Sequence, residues 1–519
     1  MVAPAEEARV VRQAIRSHAD EATCKVTMGR HIPIVDETLR DGHQCLWSTR
    51  MTNEMMLPIA QRMDRIGFDS IDLIGGAVWD VSVRFLKEDP WERIRHMRKL
   101  ITRTPLNAIV RGQSLWTFEV FPNDVVELAI ERLQANGIAQ IAVYDQFNDL
   151  QNVEVCVAAS KRVGMMVMGT LVFSWSPVHS DAYYADKAAQ FVRMGADEIN
   201  LKDPSGMLSV ERIGTIIPAL RKAIGPVPIN IHSHCMTGRA PEVLLAAVEA
   251  GADKLHTAIS PLAHGASHPP AEWIHDRLVE RGHITGLDRE ALEDMAGYFR
   301  YMCYRWNKPR GEPVDFDARV LEHQMPGGMI SNLRNQLREV GIEDRLDEIL
   351  RETSRVRKDM GYVPVVSPTA QFMVTQAVLN VIQGERYKTV PDELRKYCLG
   401  YYGKPPAAIA PELLERAVRK GDKFVSGRAG DLVAPSLERI RKTRGPFKTD
   451  EDLLNAVFYG DEILKPLFAA RAQANYTRFY QAYNPLRELL SQVTRHRHIG
   501  YIGLRGQVGG EDLKIEMTK

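Results

Sequence analysis

His232 and His234 stand two residues apart in the run VPINIHSH. Alternate side chains of an extended strand share a face, so these two imidazoles aim at one point and suit a divalent metal. A pair of partly buried structural histidines is the competing reading. Asp41, in DETLRDGHQ, ends another β-branched run and adds a carboxylate. An Asp/His/His set is a mixed oxygen–nitrogen site for Zn²⁺, Co²⁺ or Mn²⁺. His256, His264 and His268 cluster near the end of a further run, and spacing leaves each open as a member of that site. Lys202 closes the apolar run EINL. A lysine there forms a Schiff base, takes up CO₂ as a metal-ligating carbamate, or pairs with Asp203 or another carboxylate. The first two roles need a depressed pKa. Arg40 and Arg111 are planar donors for an anionic substrate, or else ion-pair partners of Glu37 or Asp145.

These residues need a scaffold that collects strand ends. From Ile32 to about Gly282 short β-branched runs alternate with amphipathic helical stretches. The runs cover residues 32–38, 68–74, 105–112, 139–145, 165–173, 196–203, 227–234 and 253–259. Eight strand–helix units in about 250 residues predict an α/β fold, a (β/α)₈ TIM barrel, whose chemistry sits at the C-terminal strand ends. A doubly wound open sheet is the alternative, but DETLRDGHQ is not the glycine-rich loop such a sheet usually carries after its first strand. From about Tyr298 helical patterns follow one another without strands, which predicts a mostly helical C-terminal domain. The expected divisions are an accessory helix at 1–28, the barrel at 29–300, helices at 301–470 that complete the enzyme, and a helix and tail at 471–519. The tail GYIGLRGQVGGEDLKIEM has the pattern of paired strands.

With 67 Lys+Arg against 66 Asp+Glu in 519 residues the chain is near neutral, which argues against nucleic-acid binding. No apolar run nears the roughly 18 residues of a membrane helix, and residues 1–23 lack a hydrophobic signal core. Six cysteines without CxxC spacing read as reduced thiols of a cytoplasmic protein.

DETLRDGHQ, the long stretch through EDPWERIR, RGQ, YDQFND, NLKDPSGML, INIHSHCMTG and QMPGGMISNL occur here in one order. In this the chain resembles the carboxyltransferase family of biotin-dependent enzymes over roughly residues 30–410. That family includes parts of pyruvate carboxylase, oxaloacetate decarboxylase and transcarboxylase. The resemblance implies a divalent metal on Asp41, His232, His234 and a carbamylated Lys202. It implies that Arg40 and Gln44 help hold a keto acid and that Arg111 binds its carboxylate. It also implies a biotin carboxyl carrier protein, a biotin carboxylase subunit and a homodimer. No Met-Lys dipeptide of the biotin-attachment kind is present, so biotin is expected on a separate carrier chain.

Departures from the family pattern bear on the acceptor. Ala266 stands where the family's proton-shuttling threonine would be, with His268 two residues on. Phe118 replaces a tyrosine and Ala142 an arginine, while Gln113, Ser114 and Trp116 add bulk. These changes suit a carbonyl acceptor other than pyruvate, with His264 or His268 as proton shuttle. Two rival functions fit the same residues: a metal-dependent Claisen- or aldol-type synthase or lyase on the same barrel, and a non-catalytic scaffold subunit.

Overall fold

The computed structural model describes residues 29–480, 501–508 and 511–518. Eight parallel strands close a barrel: β1 (Ile34–Asp36), β2 (Ser70–Ile74), β3 (Leu106–Arg111), β4 (Gln140–Tyr144), β5 (Met166–Val172), β6 (Glu198–Asp203), β7 (Ile229–Ser233) and β8 (Lys254–Thr257). β1 pairs with β2 on one side and β8 on the other, Val35 lying opposite His256. The runs read from the sequence overshoot these strands by up to two residues, because apolar capping residues continue the pattern beyond the last ladder hydrogen bond. The barrel predicted from the alternation is the fold observed.

The helices outside follow from local chemistry. Val210–Ile224 starts at Ser209, whose side chain accepts from the Arg212 N–H. It buries Ile213, Ile216, Ile217, Leu220 and Ile224, one stripe at helical spacing. Each such side chain contributes roughly 1.5–3 kcal/mol through burial.

Beyond the barrel, helices at Leu346–Asp359, Thr369–Gln383 and Asp392–Cys398 share a second apolar core with Met325, Leu413 and Phe147, the last from the loop after β4. Arg357 donates to Ser174 Oγ (2.8 Å), Ser205 donates to the Gln324 carbonyl (2.6 Å), and Lys404 N donates to Asp149 (2.8 Å). Those partners follow β5, β6 and β4, so this helical layer covers the C-terminal end of the barrel. Residues of the helices Leu437–Arg444, Asp450–Phe458 and Asp461–Gln473 pack instead into the barrel's own core, through Ile440, Leu453, Leu454 and Leu467. The tail pairs as an antiparallel hairpin of β9 (Tyr501–Val508) and β10 (Glu511–Thr518). The expected accessory helix at 1–28, and helix between 481 and 497, lie outside the described residues. No described helix is long and apolar enough to cross a membrane, and the five described cysteines are free.

Candidate active site

The chain leaves β1 through a wide helical turn, Thr38–Gly42, in which the Glu37 carbonyl accepts from both Asp41 N–H and Gly42 N–H, each at 2.9 Å. This turn swings Arg40 and Asp41 over the barrel mouth. On the far side β6 and β7 pair in register, Lys202 opposite His232. Gly206 permits the close approach of the β6 loop to β7. Its φ is +63°, and a Cβ there would lie 2.4 Å from the His234 carbonyl oxygen.

Asp41 Oδ2 is the hub. It lies 3.2 Å from His232 Nε2, 3.2 Å from His234 Nε2, 3.3 Å from Lys202 Nζ and 3.3 Å from His268 Nε2. The two Nε2 atoms of His232 and His234 are 3.2 Å apart, and Lys202 Nζ is 2.6 Å from the former. Hydrogen bonds assign the tautomers. The Ala266 carbonyl accepts from His234 Nδ1 (2.7 Å), and Glu37 Oε1 accepts from His232 Nδ1 (3.1 Å). Both Nε2 lone pairs therefore point at the Asp41 oxygen. Three electron-rich atoms this close need positive charge beside them, which here comes from Lys202 and Arg40 and which a bound metal cation would reinforce.

Their spacing suits one. Two donors held at about 2.0–2.1 Å by one tetrahedral ion stand about 3.3 Å apart. The protonation states also fit. Burial works against the Asp41 charge, but Arg40, Lys202 and His234 outweigh it and hold its carboxyl well below the usual range. Burial, then Lys202 and His268, push His232 well below a free imidazole, so its ring is neutral, the ligating form. Asp41, His232, His234 and His268 together make one candidate metal cluster; Glu37, His232 and His256 make a second that shares His232.

Arg40 takes the ion-pair reading, with Glu37 and with two further carboxylates. Its guanidinium, 3% exposed, meets Glu37 (2.6 Å), Asp72 (2.6 Å) and Asp41 (2.8 Å). It holds Asp41 in place, with each of its three guanidinium nitrogens against a carboxylate. Arg111 contrasts with it. Its Nε donates to the Tyr144 hydroxyl (3.1 Å), another N–H to the Thr117 carbonyl, and its guanidinium lies 5.1 Å from the Phe118 ring. None of these partners carries charge, and among the described residues Arg111 forms no ion pair, which leaves a cation for an anionic ligand. Gln44 is half-buried on the short helix His43–Leu46 that follows the turn carrying Asp41. Phe118 is half exposed, with its face toward Arg111. Ala266 contributes its carbonyl rather than its side chain.

The two aspartates considered as ion-pair partners are occupied by neutral donors. Asp203 accepts from Leu208 N–H and Ser233 Oγ, and Asp145 from Phe147 N–H, Asp149 N–H and Asn152; neither pairs with Lys202 or an arginine. Trp116 does not fill the pocket: it stacks on Trp79 at 3.8 Å, fully buried. Gln113 turns inward to Asn152 and Gly430 N–H. Asp72, Tyr144 and Cys45 were not singled out from the sequence. Cys45 Sγ lies 3.6 Å from Asp41 Oδ1. The i+4 spacing of Asp41 and Cys45 on a helical turn was the one local signal for it. A separate cleft of about 790 Å³, lined by Glu92, Phe447, Phe468 and Tyr476, lies on the outer wall of the barrel, away from this cluster.

A closed barrel with carboxylate and imidazole donors gathered at its C-terminal mouth defines a TIM-barrel enzyme with a candidate metal site. Comparison with known proteins narrows the class. The HMGL-like family model matches residues 31–297 and that of the conserved carboxylase domain matches residues 320–496. The chain is 43% identical to a pyruvate carboxylase subunit of Methanocaldococcus jannaschii, over 82% of this chain and 76% of that one. It is 36% identical to the 2-oxoglutarate carboxylase large subunit of Hydrogenobacter thermophilus, over 85% and 69%. The carboxyl transferase domain of Rhizobium etli pyruvate carboxylase superposes with a TM-score of 0.81 over 94% of this chain and 89% of that one; at 24% identity this shows the fold. The chain belongs to the carboxyltransferase family of biotin-dependent enzymes. Enzymes of this family work with biotin on a carrier and with a metal, which the mouth cluster fits.

Proposed function

We propose that this chain is the carboxyltransferase subunit that moves CO₂ between carboxybiotin, borne on a separate carrier protein, and a keto acid. The observation that carries the reading is the convergence of Asp41, His232 and His234 on one point with Lys202 beside them. Asp41, His232 and His234 would hold Zn²⁺, Co²⁺ or Mn²⁺, with Lys202 as carbamate for a fourth donor. Lys202 fits that role because its nitrogen already lies 2.6 Å from His232 Nε2, at the edge of the cluster. When bound, such a cation supplies Lewis-acid stabilisation of charge on the acceptor's oxygen.

The remaining work belongs to side chains. Arg111 binds the acceptor carboxylate, and Phe118 closes the far side of its guanidinium. Gln44 donates to the acceptor from the short helix His43–Leu46. Arg40 keeps Asp41 ionised and oriented. The acceptor's C3, next to the ketone, gives up a proton and forms a C–C bond to CO₂, while the biotin N–CO₂ bond breaks and that nitrogen takes a proton. With Ala266 unable to relay it, His264 and His268 are the two imidazoles of the β8 loop we assign to proton transfer. His264 is the half-buried one of the two.

Both carboxylase relatives are single subunits of their enzymes, which supports a biotin carrier and a biotin carboxylase as partners. A homodimer and a cytoplasmic location complete the proposal. The names of those relatives, pyruvate carboxylase and 2-oxoglutarate carboxylase, make 2-keto acids of two sizes the acceptors to try. The match of residues 320–496 to the conserved carboxylase domain favours carboxyl transfer over Claisen or aldol chemistry.

The test combines the purified chain with a biotinylated carrier, biotin carboxylase, MgATP, labelled bicarbonate and a panel of 2-keto acids. Label on one keto acid, made acid-stable by borohydride reduction of the ketone and abolished by avidin and by Asp41→Asn, is the expected outcome. Carboxylated carrier that passes no label to any keto acid overturns it.

A further inference from the structure

We infer that Tyr144 is a substrate-binding residue: its hydroxyl aligns the Arg111 guanidinium and donates its own hydrogen to the same acceptor carboxylate. The inference rests on the keto-acid reading above and deepens it.

Strand geometry brings the two side chains together. β3 and β4 pair in parallel register with Arg111 opposite Tyr144, so both stand on one face of the sheet. The pairing carries that face on through Thr170 to Asn200, and Lys202 lies two residues further along β6 on the same face. Tyr144 therefore looks into the barrel, on the side that holds the mouth cluster. Two residues back along this face are Ile109 and Ala142, which with Met168 form a small buried apolar cluster. The Tyr144 ring packs on it. Ring and hydroxyl thus have separate employments. A phenylalanine would satisfy the cluster, and what the hydroxyl adds is Arg111. It accepts from Arg111 Nε at 3.1 Å, its one hydrogen bond among the described residues. Accepting uses an oxygen lone pair and leaves the O–H hydrogen free to donate. The residue is half-buried, which keeps that hydrogen within reach of a ligand at the mouth.

The guanidinium shows what the hydroxyl is placed for. Arg111 Nε donates to Tyr144 and Nη1 to the Thr117 carbonyl, while Nη2 has no partner among the described residues. Nε and Nη2 share one edge of the planar group, so the hydroxyl sits beside the free nitrogen. One carboxylate then accepts from Nη2 through one oxygen and from the Tyr144 O–H through the other. A neutral hydroxyl serves better here than an acidic side chain, because it fixes the fork without cancelling the charge that attracts the anion.

The test compares the full chain as parent, Tyr144→Phe, Arg111→Lys and the Tyr144→Phe/Arg111→Lys double variant, with circular dichroism as a check on folding. Turnover is measured with the keto acid that takes label in the assay above. Calorimetry with oxamate, an unreactive 2-keto-acid analogue, reads binding alone. Tyr144→Phe should raise the keto-acid KM and weaken oxamate by about 10-fold or more, the scale of a hydrogen bond to a charged group. Its kcat should stay within about threefold of the parent, with the carrier KM and metal content unchanged, because the interaction lost is one of binding. In the Arg111→Lys background the same change should weaken binding by less than about threefold, since the two side chains serve one carboxylate. A folded Tyr144→Phe with parental keto-acid KM and oxamate affinity overturns the inference and leaves the keto-acid reading standing. So does a double variant whose effects simply multiply, or a loss that falls on kcat and metal content instead of KM. A parent chain that passes label to no keto acid overturns the underlying reading itself.

Discussion

In the proposed metal site Glu37 orients the ligands, and Glu37→Gln is the sharpest way to show it. One oxygen of the carboxylate accepts from His232 Nδ1 (3.1 Å) and His256 Nδ1 (2.7 Å), while the other accepts from Arg40 (2.6 Å). Burial works against this charge, but Arg40 and His232 hold its pKa well below the usual value. An amide has the same shape but only one acceptor. If its oxygen faces the histidines, its NH₂ meets the Arg40 N–H groups, donor against donor. If it turns round, its NH₂ faces His232 Nδ1, which must then accept. The proton moves to Nε2, where it blocks the lone pair aimed at Asp41. Either way the site is mis-set. Removing a supporting partner of this kind costs about 10–100-fold in metal affinity, roughly 1.4–2.7 kcal/mol. The assay is chelator competition for Zn²⁺ or Co²⁺ at pH 7.5 on parent and variant, with thermal melts to confirm folding. A folded Glu37→Gln whose dissociation constant stays within about twofold of the parent would refute the tautomer argument.

Arg111→Lys replaces a planar fork with a point charge; KM for the keto acid should rise by about 10-fold or more while metal content stays at the parental level, and a parental KM counts against the carboxylate role. Gly206→Ala places a methyl 2.4 Å from the His234 carbonyl at φ +63°. It should destabilise the chain by at least about 1–2 kcal/mol and loosen metal binding, whereas an unchanged melt would show that the β6 loop adapts freely. Asp36 is fully buried, and burial raises its pKa to about 7. Because the folded state holds that proton above the unfolded pKa, stability from this group is full at pH below about 4 and is lost as pH climbs through 7. Asp36→Asn should therefore gain on the parent in thermal melts at pH 8 relative to pH 5; a difference independent of pH would contradict the assignment.

The barrel was legible because its strands are short β-branched runs with strict spacing, and a parallel barrel buries such runs on both faces. His232 and His234 were legible for the same reason, since strand alternation is local. The partners of those residues were not. Glu37 and Asp72 look like ordinary strand carboxylates, and only closure of β1 against β8 brings Glu37 to His256. Arg40 reads equally as a substrate donor or a partner of Glu37, and only the fold adds Asp72 and Asp41 to Glu37 around it. Trp116 read as pocket bulk, since composition does not say that Trp79 waits to stack on it. In the same way, helical spacing in residues 437–473 shows one apolar face but not that the face meets the barrel and not the other helices.

The most direct test is anomalous diffraction from crystals grown with Zn²⁺ or Co²⁺, recorded above and below the metal edge. The expected result is a single peak at the barrel mouth, within about 2.0–2.2 Å of Asp41 Oδ2 and of both His232 and His234 Nε2. Fully loaded crystals with no peak there, or with a peak that any of these three side chains fails to touch, would contradict the shared-ion site.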